Sequence, residues 1–164
     1  MKASLHEVET EFNLVTADPE LEAALGPSAV TTEQLRWNED QVIRFPAGIP
    51  GFESARQFII LSVPQYEPFH WLECVDGLPV RFAIINPMNF RPDYQPRLRR
   101  SDLSALNIID PKDLLMYVIV TLRQPLSLST ANLMGPLFIN LRERVGRQIL
   151  IEDEAYSLRE PILL

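Results

Sequence analysis

Residues 44–61 read RFPAGIPGFESARQFIIL, and this segment is the most informative about the architecture of the chain. Two apolar segments, Val42–Phe45 and Phe58–Leu61, flank a connection rich in proline and glycine. Glycine gives the backbone extra freedom and proline fixes φ, so we expect a stiff, shaped turn between two strands. A turn exposed to solvent would not need the apolar residues Ile49 and Phe52. We expect them either to plug one end of a barrel or to form a surface that a partner covers.

Outward from this stretch, the sequence after residue 40 has the periodicity and the β-branched and aromatic content of strands. Turn-forming pairs such as Asn86-Pro87 and Gln124-Pro125 separate the segments. The predicted strands are Val42–Phe45, Phe58–Val63, Phe69–Val75, Val80–Ile85, Leu114–Leu122, Ser129–Asn140 and Arg147–Ile151. No long helix intervenes, so the pattern predicts an all-β fold, a small antiparallel barrel-like or sandwich domain.

Two features interrupt the strands. One or two short helices are predicted, over Ser101–Leu106 and as a single turn at residues 110–113, because each begins with a helix-start signal. Gly135-Pro136 lies inside the sixth predicted strand. Since proline cannot donate a hydrogen bond to a sheet, we expect an edge, a bulge or a break there.

Most of the net charge of −7 belongs to the beginning of the chain. Residues 1–36 hold seven acidic and two basic side chains (−5), and residues 37–164 hold fifteen and thirteen (−2). An acidic segment with few aromatic residues is typical of disorder. We therefore predict an acidic N-terminal extension over residues 1–29, disordered or forming one short helix after Asp18-Pro19, and a β-barrel domain over residues 30–164.

The sequence offers little for catalysis. His6 lies in the extension and His70 in a predicted strand, and neither has the surroundings of a catalytic triad. Cys74 is the single cysteine and has no partners at metal-ligand spacing, so we interpret His70 and Cys74 as structural. We predict no catalytic residue, no cofactor, no metal and no small-molecule substrate. Without an apolar run of membrane-spanning length or a signal peptide, the expected location is the cytoplasm, with no membrane contact.

Charged clusters raise the question of nucleic-acid binding. Residues 91–100 hold four arginines around Tyr94, a combination that can hold phosphates and stack on bases. The acidic net charge opposes such binding, so we expect no direct contact with nucleic acid. We interpret residues 152–154, Glu-Asp-Glu, as a solvated turn. A ligand-binding or RNA-binding β-barrel module remains the alternative function.

Loop residues are the candidate partner contacts, because loops on a rigid barrel are where binding groups concentrate. Asp93 and Tyr94 lie in a predicted loop, and Asn132 lies in the TANL segment without an evident core role. The alternative is that Tyr94 packs on the barrel and that Asp93 and Asn132 satisfy local backbone groups. With Ile49 and Phe52, these are the five candidate partner-binding residues.

Five blocks of the sequence resemble, in order, the flagellar assembly factor FliW family. They are FPAGIPGFE (45–53), PFHWL (68–72), FAIINP with PDY (82–87 and 92–94), TANL with IN (130–133 and 139–140), and GRQ (146–148) followed by Tyr156 and Pro161. The resemblance covers about residues 30–163 and leaves residues 1–29 outside it.

The resemblance implies a cytoplasmic regulator of flagellar assembly that acts by binding. FliW-like proteins antagonise CsrA, a small dimeric RNA-binding protein that represses translation of flagellin mRNA, and they also bind flagellin. Flagellin that accumulates in the cytoplasm would occupy this protein and leave CsrA free to repress. Export of flagellin would release the protein to inhibit CsrA. The expected partners are therefore CsrA and flagellin.

Overall fold

The computed structural model of the chain describes residues 13–14 and 37–164. Its one α-helix in this part of the chain is α1 (Arg100–Leu106), and five short 3-10 turns accompany it. The strands are β1 (Asn13–Leu14), β2 (Ile43–Arg44), β3 (Gln57–Ser62), β4 (Phe69–Cys74), β5 (Val80–Ile85), β6 (Leu114–Thr121), β7 (Thr130–Ala131), β8 (Leu137–Asn140), β9 (Val145–Gln148) and β10 (Glu160–Pro161).

Seven strands close into a barrel in the order β5-β4-β3-β2-β9-β8-β6, with β6 pairing back onto β5. Outside the ring, β7 pairs with β6, β10 with β7, and β1 with β5. The predicted all-β barrel is confirmed. It is mixed, however, because β2 and β9 meet in parallel at Arg44 and Val145. These two strands lie far apart in the sequence, so no tight hairpin imposes an antiparallel direction on them.

The predicted strands match the observed ones closely, with two differences. The prediction Ser129–Asn140 divides into β7 and β8, with the expected break at Gly135-Pro136. The last prediction, Arg147–Ile151, is displaced, since β9 begins at Val145. Gly146, which precedes the predicted strand, lies inside β9, where a Cβ atom would collide with the Phe45 ring. Its small size serves packing against Phe45 and not a turn.

The interior of the barrel is filled by apolar side chains from its strands and from the connection between β2 and β3. Phe58, Leu72 and Phe82 are buried in one cluster, and Phe45 and Ile49 of the connection join them. Phe45 packs edge-on against Phe58, with ring centroids 5.3 Å apart. The burial of Phe45 and Ile49 in this cluster favours the plug interpretation.

Two glycines shape this connection. Gly48 has φ +68° and Gly51 has φ +88°, both in the left-handed region. The Gly48 amide donates to the Phe45 carbonyl at 2.8 Å, and the Phe52 amide donates to the Ile49 carbonyl at 2.7 Å. The Gly51 amide donates to Glu53 Oε1 at 2.9 Å, and this hydrogen bond lowers the pKa of Glu53.

The outside of the barrel carries a second layer. One cluster contains Trp71 and Val120 of the sheet and Tyr94 of the segment between β5 and β6. Another contains Phe138 of β8, Leu106 of α1 and Ile149. Strands such as β5 are buried throughout because one face lines the barrel and the other faces this layer.

The predicted helix at Ser101–Leu106 is confirmed as α1, and the predicted turn at residues 110–113 is a 3-10 turn over Pro111–Asp113. The helix predicted after Asp18 lies outside the described residues. Two short strands were not predicted from the sequence: β1, which runs parallel to β5, and β10, which pairs with β7. The domain boundary at residue 29 stays a prediction.

Candidate functional site

Of the residues considered for catalysis, His70 and Cys74 have structural contacts, and His6 lies outside the described residues. Within residues 13–14 and 37–164, no group of three His, Cys, Asp or Glu side chains could hold a metal ion. His70 Nδ1 lies 2.9 Å from Ser62 Oγ on the neighbouring strand, and its ring packs against Tyr117. Cys74 is buried and donates to Asp76 Oδ1 at 2.6 Å. Burial raises the pKa of Cys74 to about 11, so the thiol is protonated and weakly nucleophilic at neutral pH.

Of the five candidate partner-binding residues, Ile49 and Tyr94 are each only 1% exposed. The Tyr94 hydroxyl donates to the Leu133 carbonyl at 2.7 Å, and its ring meets Tyr156 edge-on at 4.7 Å between centroids. Burial raises the pKa of Tyr94 well above its usual value. These positions favour the plug interpretation for Ile49 and the packing interpretation for Tyr94.

The other three candidates differ in exposure. Phe52 is half-buried and packs edge-on against Phe82, with centroids 5.1 Å apart. Asn132 Oδ1 accepts from the Met134 amide at 3.0 Å, a local turn contact. The Asp93 side chain is 72% exposed and accepts from Arg91 Nε at 2.8 Å. Of the five, Asp93 alone offers a largely exposed side chain, and a partner-binding role for any of them stays a prediction.

Two charged segments that the sequence analysis treated separately meet in the structure. Arg99 Nη2 lies 3.4 Å from Glu152 Oε2, and both side chains are exposed. They line a groove of about 620 Å³ beside the start of α1, which we call the acidic groove after its wall of Glu152, Asp153 and Glu154. Arg97 and Arg99 also line this groove. No local signal in the sequence could predict this groove, because its walls lie about fifty residues apart.

A second exposed surface is apolar. The antiparallel pairing of β7 and β10 places Pro161 opposite Thr130, and the Ile162 amide donates to the Ser129 carbonyl at 3.2 Å. Two exposed leucines follow β10, and two more belong to the 3-10 turn Leu126–Leu128 that precedes β7. We call these residues the leucine edge: Leu126, Leu128, Leu163 and Leu164, which are 43%, 58%, 76% and 70% exposed. A surface patch formed by several exposed apolar side chains is typical of a protein interface.

The acidic groove and the leucine edge share one stretch of chain, residues 150–164. Its first part forms the acidic wall, and its last part contributes two leucines to the leucine edge. Between them, the ring of Tyr156 packs against Tyr94 and its hydroxyl accepts from the Gln95 amide at 3.0 Å. Glu160 accepts from Arg91 Nη1 at 2.7 Å. Both surfaces are therefore anchored to the same loop, residues 91–95.

None of the helices in the described part of the chain has the length and apolar character needed to span a bilayer.

Comparison with known proteins gives consistent results. The sequence model of the family described as FliW protein matches residues 29–162. A flagellar assembly factor FliW of Alkaliphilus metalliredigens is 38% identical over 131 residues, which cover 79% of this chain and 81% of that protein. One of Thermoanaerobacter pseudethanolicus is 36% identical over 130 residues, covering 79% and 87%. A crystal structure of the flagellar assembly factor FliW superposes with a TM-score of 0.73 at 32% identity, covering 77% of this chain and 89% of that one.

Proposed function

Because the chain belongs to the FliW family of flagellar assembly factors, we propose that it acts in the cytoplasm by binding two protein partners in turn, the translational repressor CsrA and flagellin. Bound to CsrA, it relieves repression of flagellin synthesis. Bound to flagellin, it leaves CsrA free to repress. The observation that carries this proposal is the presence of two exposed surfaces of different chemistry on one shared stretch of chain.

The acidic groove is suited to CsrA. A protein that binds RNA needs basic side chains to hold phosphates. The wall formed by Glu152, Asp153 and Glu154, on a chain with a net charge of −7, attracts such a protein and repels RNA phosphates nearby. Arg99 approaches Glu152 only at the exposed surface, where an ion pair contributes little and is easily replaced.

The leucine edge is suited to flagellin. A subunit that has not yet joined its filament exposes apolar surface that the filament will bury. Leucines at 58% and 76% exposure, such as Leu128 and Leu163, can cover such a surface without reorganising the barrel. The two surfaces share residues 150–164, so a partner bound at one surface can hinder binding of the other partner at the second surface. Exchange between CsrA and flagellin requires such interference.

Charge reversal tests the acidic groove. We expect the Glu152→Lys/Glu154→Lys variant to associate with CsrA roughly ten-fold more slowly at low salt, because electrostatic steering is lost. For the wild type, the association rate should fall as salt rises. Stopped-flow fluorescence at several salt concentrations measures both effects.

The matched control is Glu67→Lys/Glu143→Lys, which makes the same change in net charge at exposed positions away from the groove. It should retain most of the wild-type rate. Equal slowing in both variants would show that net charge alone, and not the acidic groove, controls the association rate with CsrA. An association rate independent of salt would contradict the electrostatic account.

A second pair of variants tests the leucine edge. We expect Leu128→Asp/Leu163→Asp to weaken flagellin binding by about 1–3 kcal/mol, since charged groups would replace apolar contacts at an interface. Because both side chains are exposed, the melting temperature should change little. Isothermal titration calorimetry with monomeric flagellin measures the affinity. The control is Ile109→Asp/Leu141→Asp, which changes two exposed apolar positions outside this edge. A similar loss of flagellin affinity in the control would remove the leucine edge from the proposal.

A further inference from the structure

The charged side chains that line the acidic groove differ in whether they already have a partner. Asp102 Oδ2 accepts from the Arg99 amide at 3.1 Å, and Asp153 Oδ1 accepts from the Ala155 amide at 2.9 Å. These two carboxylates complete turns of their own segments and are occupied without a ligand. The charged side chains left for a partner are those of Arg97, Arg99, Glu152 and Glu154.

These four side chains offer charges of both signs. Among the described residues, Arg97 and Glu154 have no side-chain hydrogen bond or ion pair, and both residues are exposed. The Arg99 and Glu152 side chains are 71% and 72% exposed, and their charged atoms lie 3.4 Å apart, so they form a loose pair in solvent. The groove therefore presents a free cation, a free anion and an ion pair that a partner can exchange.

The groove also has an apolar component. Leu150 is 66% exposed and Leu98 is half-buried, while the adjacent Ile151 is buried in the outer cluster and fixes this part of the chain. An exposed leucine beside charged groups gives a bound segment apolar contact area. Covering it also excludes water from the neighbouring ion pairs, which strengthens them.

The two arginines are unfavourable for a groove that binds basic side chains alone. A purely basic surface would be attracted by Glu152 and Glu154 and repelled by Arg97 and Arg99. Charges across an interface are normally arranged so that each sign meets its opposite. A segment that carries both a basic and an acidic side chain meets this condition at the groove, and a segment with one sign does not.

We propose that the acidic groove binds a mixed-charge segment of CsrA, which contributes a basic side chain, a carboxylate and an apolar contact with Leu150. The partner in this inference rests on the proposed function. A basic side chain of CsrA replaces Arg99 at Glu152, and the released Arg99, together with Arg97, binds the CsrA carboxylate. Arginine can hold a carboxylate through two parallel N–H donors, so this contact fixes the orientation of the segment.

The two kinds of charge then control different rates. The carboxylates of the groove attract CsrA over a distance and set the association rate. The contact between the arginines and a carboxylate forms only after docking, so it sets the dissociation rate. Removing the arginines therefore makes the groove more acidic, which favours approach, and at the same time shortens the lifetime of the complex.

The experiment uses the full chain in three forms: wild type, Arg97→Ala/Arg99→Ala, and the control Arg123→Ala/Arg142→Ala. The control makes the same change in net charge at exposed positions outside the groove. With CsrA as the probe, we expect Arg97→Ala/Arg99→Ala to associate at least as fast as the wild type and to dissociate roughly ten-fold faster. The control should keep the wild-type dissociation rate. Surface plasmon resonance measures both rates.

The melting temperatures of the three forms should agree, because the ion pair that is lost is exposed. An unchanged dissociation rate in Arg97→Ala/Arg99→Ala overturns this inference and leaves the proposed function intact. Equal acceleration in the control also overturns it, since net charge would then explain the effect. Failure of the wild type to bind CsrA overturns the proposed function, and this inference with it.

A double-mutant cycle identifies the carboxylate on the partner. Each Asp and Glu of CsrA is replaced in turn by Asn or Gln, and dissociation is measured from the wild type and from Arg97→Ala/Arg99→Ala. One replacement should speed dissociation from the wild type roughly ten-fold and have no further effect on the variant, because either change removes the same contact. If no carboxylate of CsrA shows this coupling, the arginines have no acidic partner and the inference is wrong.

Discussion

Replacing Tyr94 with alanine is expected to lower the free energy of unfolding by about 3–5 kcal/mol. The ring is buried between the barrel and the segment that carries Tyr156, and its hydroxyl donates to the Leu133 carbonyl. Alanine would leave a cavity the size of the ring and a buried carbonyl without its donor. Urea unfolding followed by circular dichroism measures the change.

Tyr94→Phe separates the two contributions. It keeps the ring and removes only the hydroxyl, so we expect a loss of about 1–2 kcal/mol. Leu103→Ala in α1, where the side chain is 38% exposed, serves as a control for a large-to-small change at the surface and should cost less than Tyr94→Ala. If Tyr94→Ala instead kept the wild-type stability and lost partner binding, Tyr94 would be a binding anchor and the packing interpretation would be wrong.

Replacing Gly48 with alanine is expected to cost about 2–4 kcal/mol, the second largest effect. A Cβ atom at Gly48 would lie 2.6 Å from Glu53 Cα, and this neighbour is backbone that cannot rotate away. Relief of the clash would move the plug residue Ile49 out of the barrel end. Thermal unfolding followed by circular dichroism, combined with urea titration, measures the loss.

Gly51→Ala is the matched control within the same turn. Gly51 also has a positive φ, but a Cβ atom there would meet no described atom within 4 Å. Its substitution therefore reports backbone strain alone, about 1 kcal/mol. If the two variants lost the same stability, the close approach at Gly48 would contribute nothing and strain would explain both.

Much of the barrel could be predicted because its signals are local. The alternation of β-branched and aromatic residues located β3, β4, β5 and β6, and proline chemistry located the break between β7 and β8. Proline and glycine in residues 44–61 predicted a shaped turn. The structure packs its apolar residues Ile49 and Phe52 against the apolar cluster of the barrel. Each of these inferences depends on residues within a few positions of one another.

The candidate contacts were harder to predict. Tyr94 lies in a loop by sequence, yet the loop covers the outer face of the barrel and buries the ring. The parallel pair of β2 and β9 had no local signal, since strand direction depends on how the whole chain closes the ring. The strand β1 was missed because acidic composition outweighed the short alternating pattern around it.

The fold class, the positions of most strands and the family could be recognised in the sequence alone, because periodicity, turn chemistry and motif spacing are properties of short segments. Which segments meet depended on the tertiary structure. It brought Arg99 to Glu152, paired β10 with β7, and set β1 on the β5 edge. These contacts join residues separated by thirty to seventy positions, and no local pattern specifies them, because they exist only when the barrel closes and its outer layer folds against it.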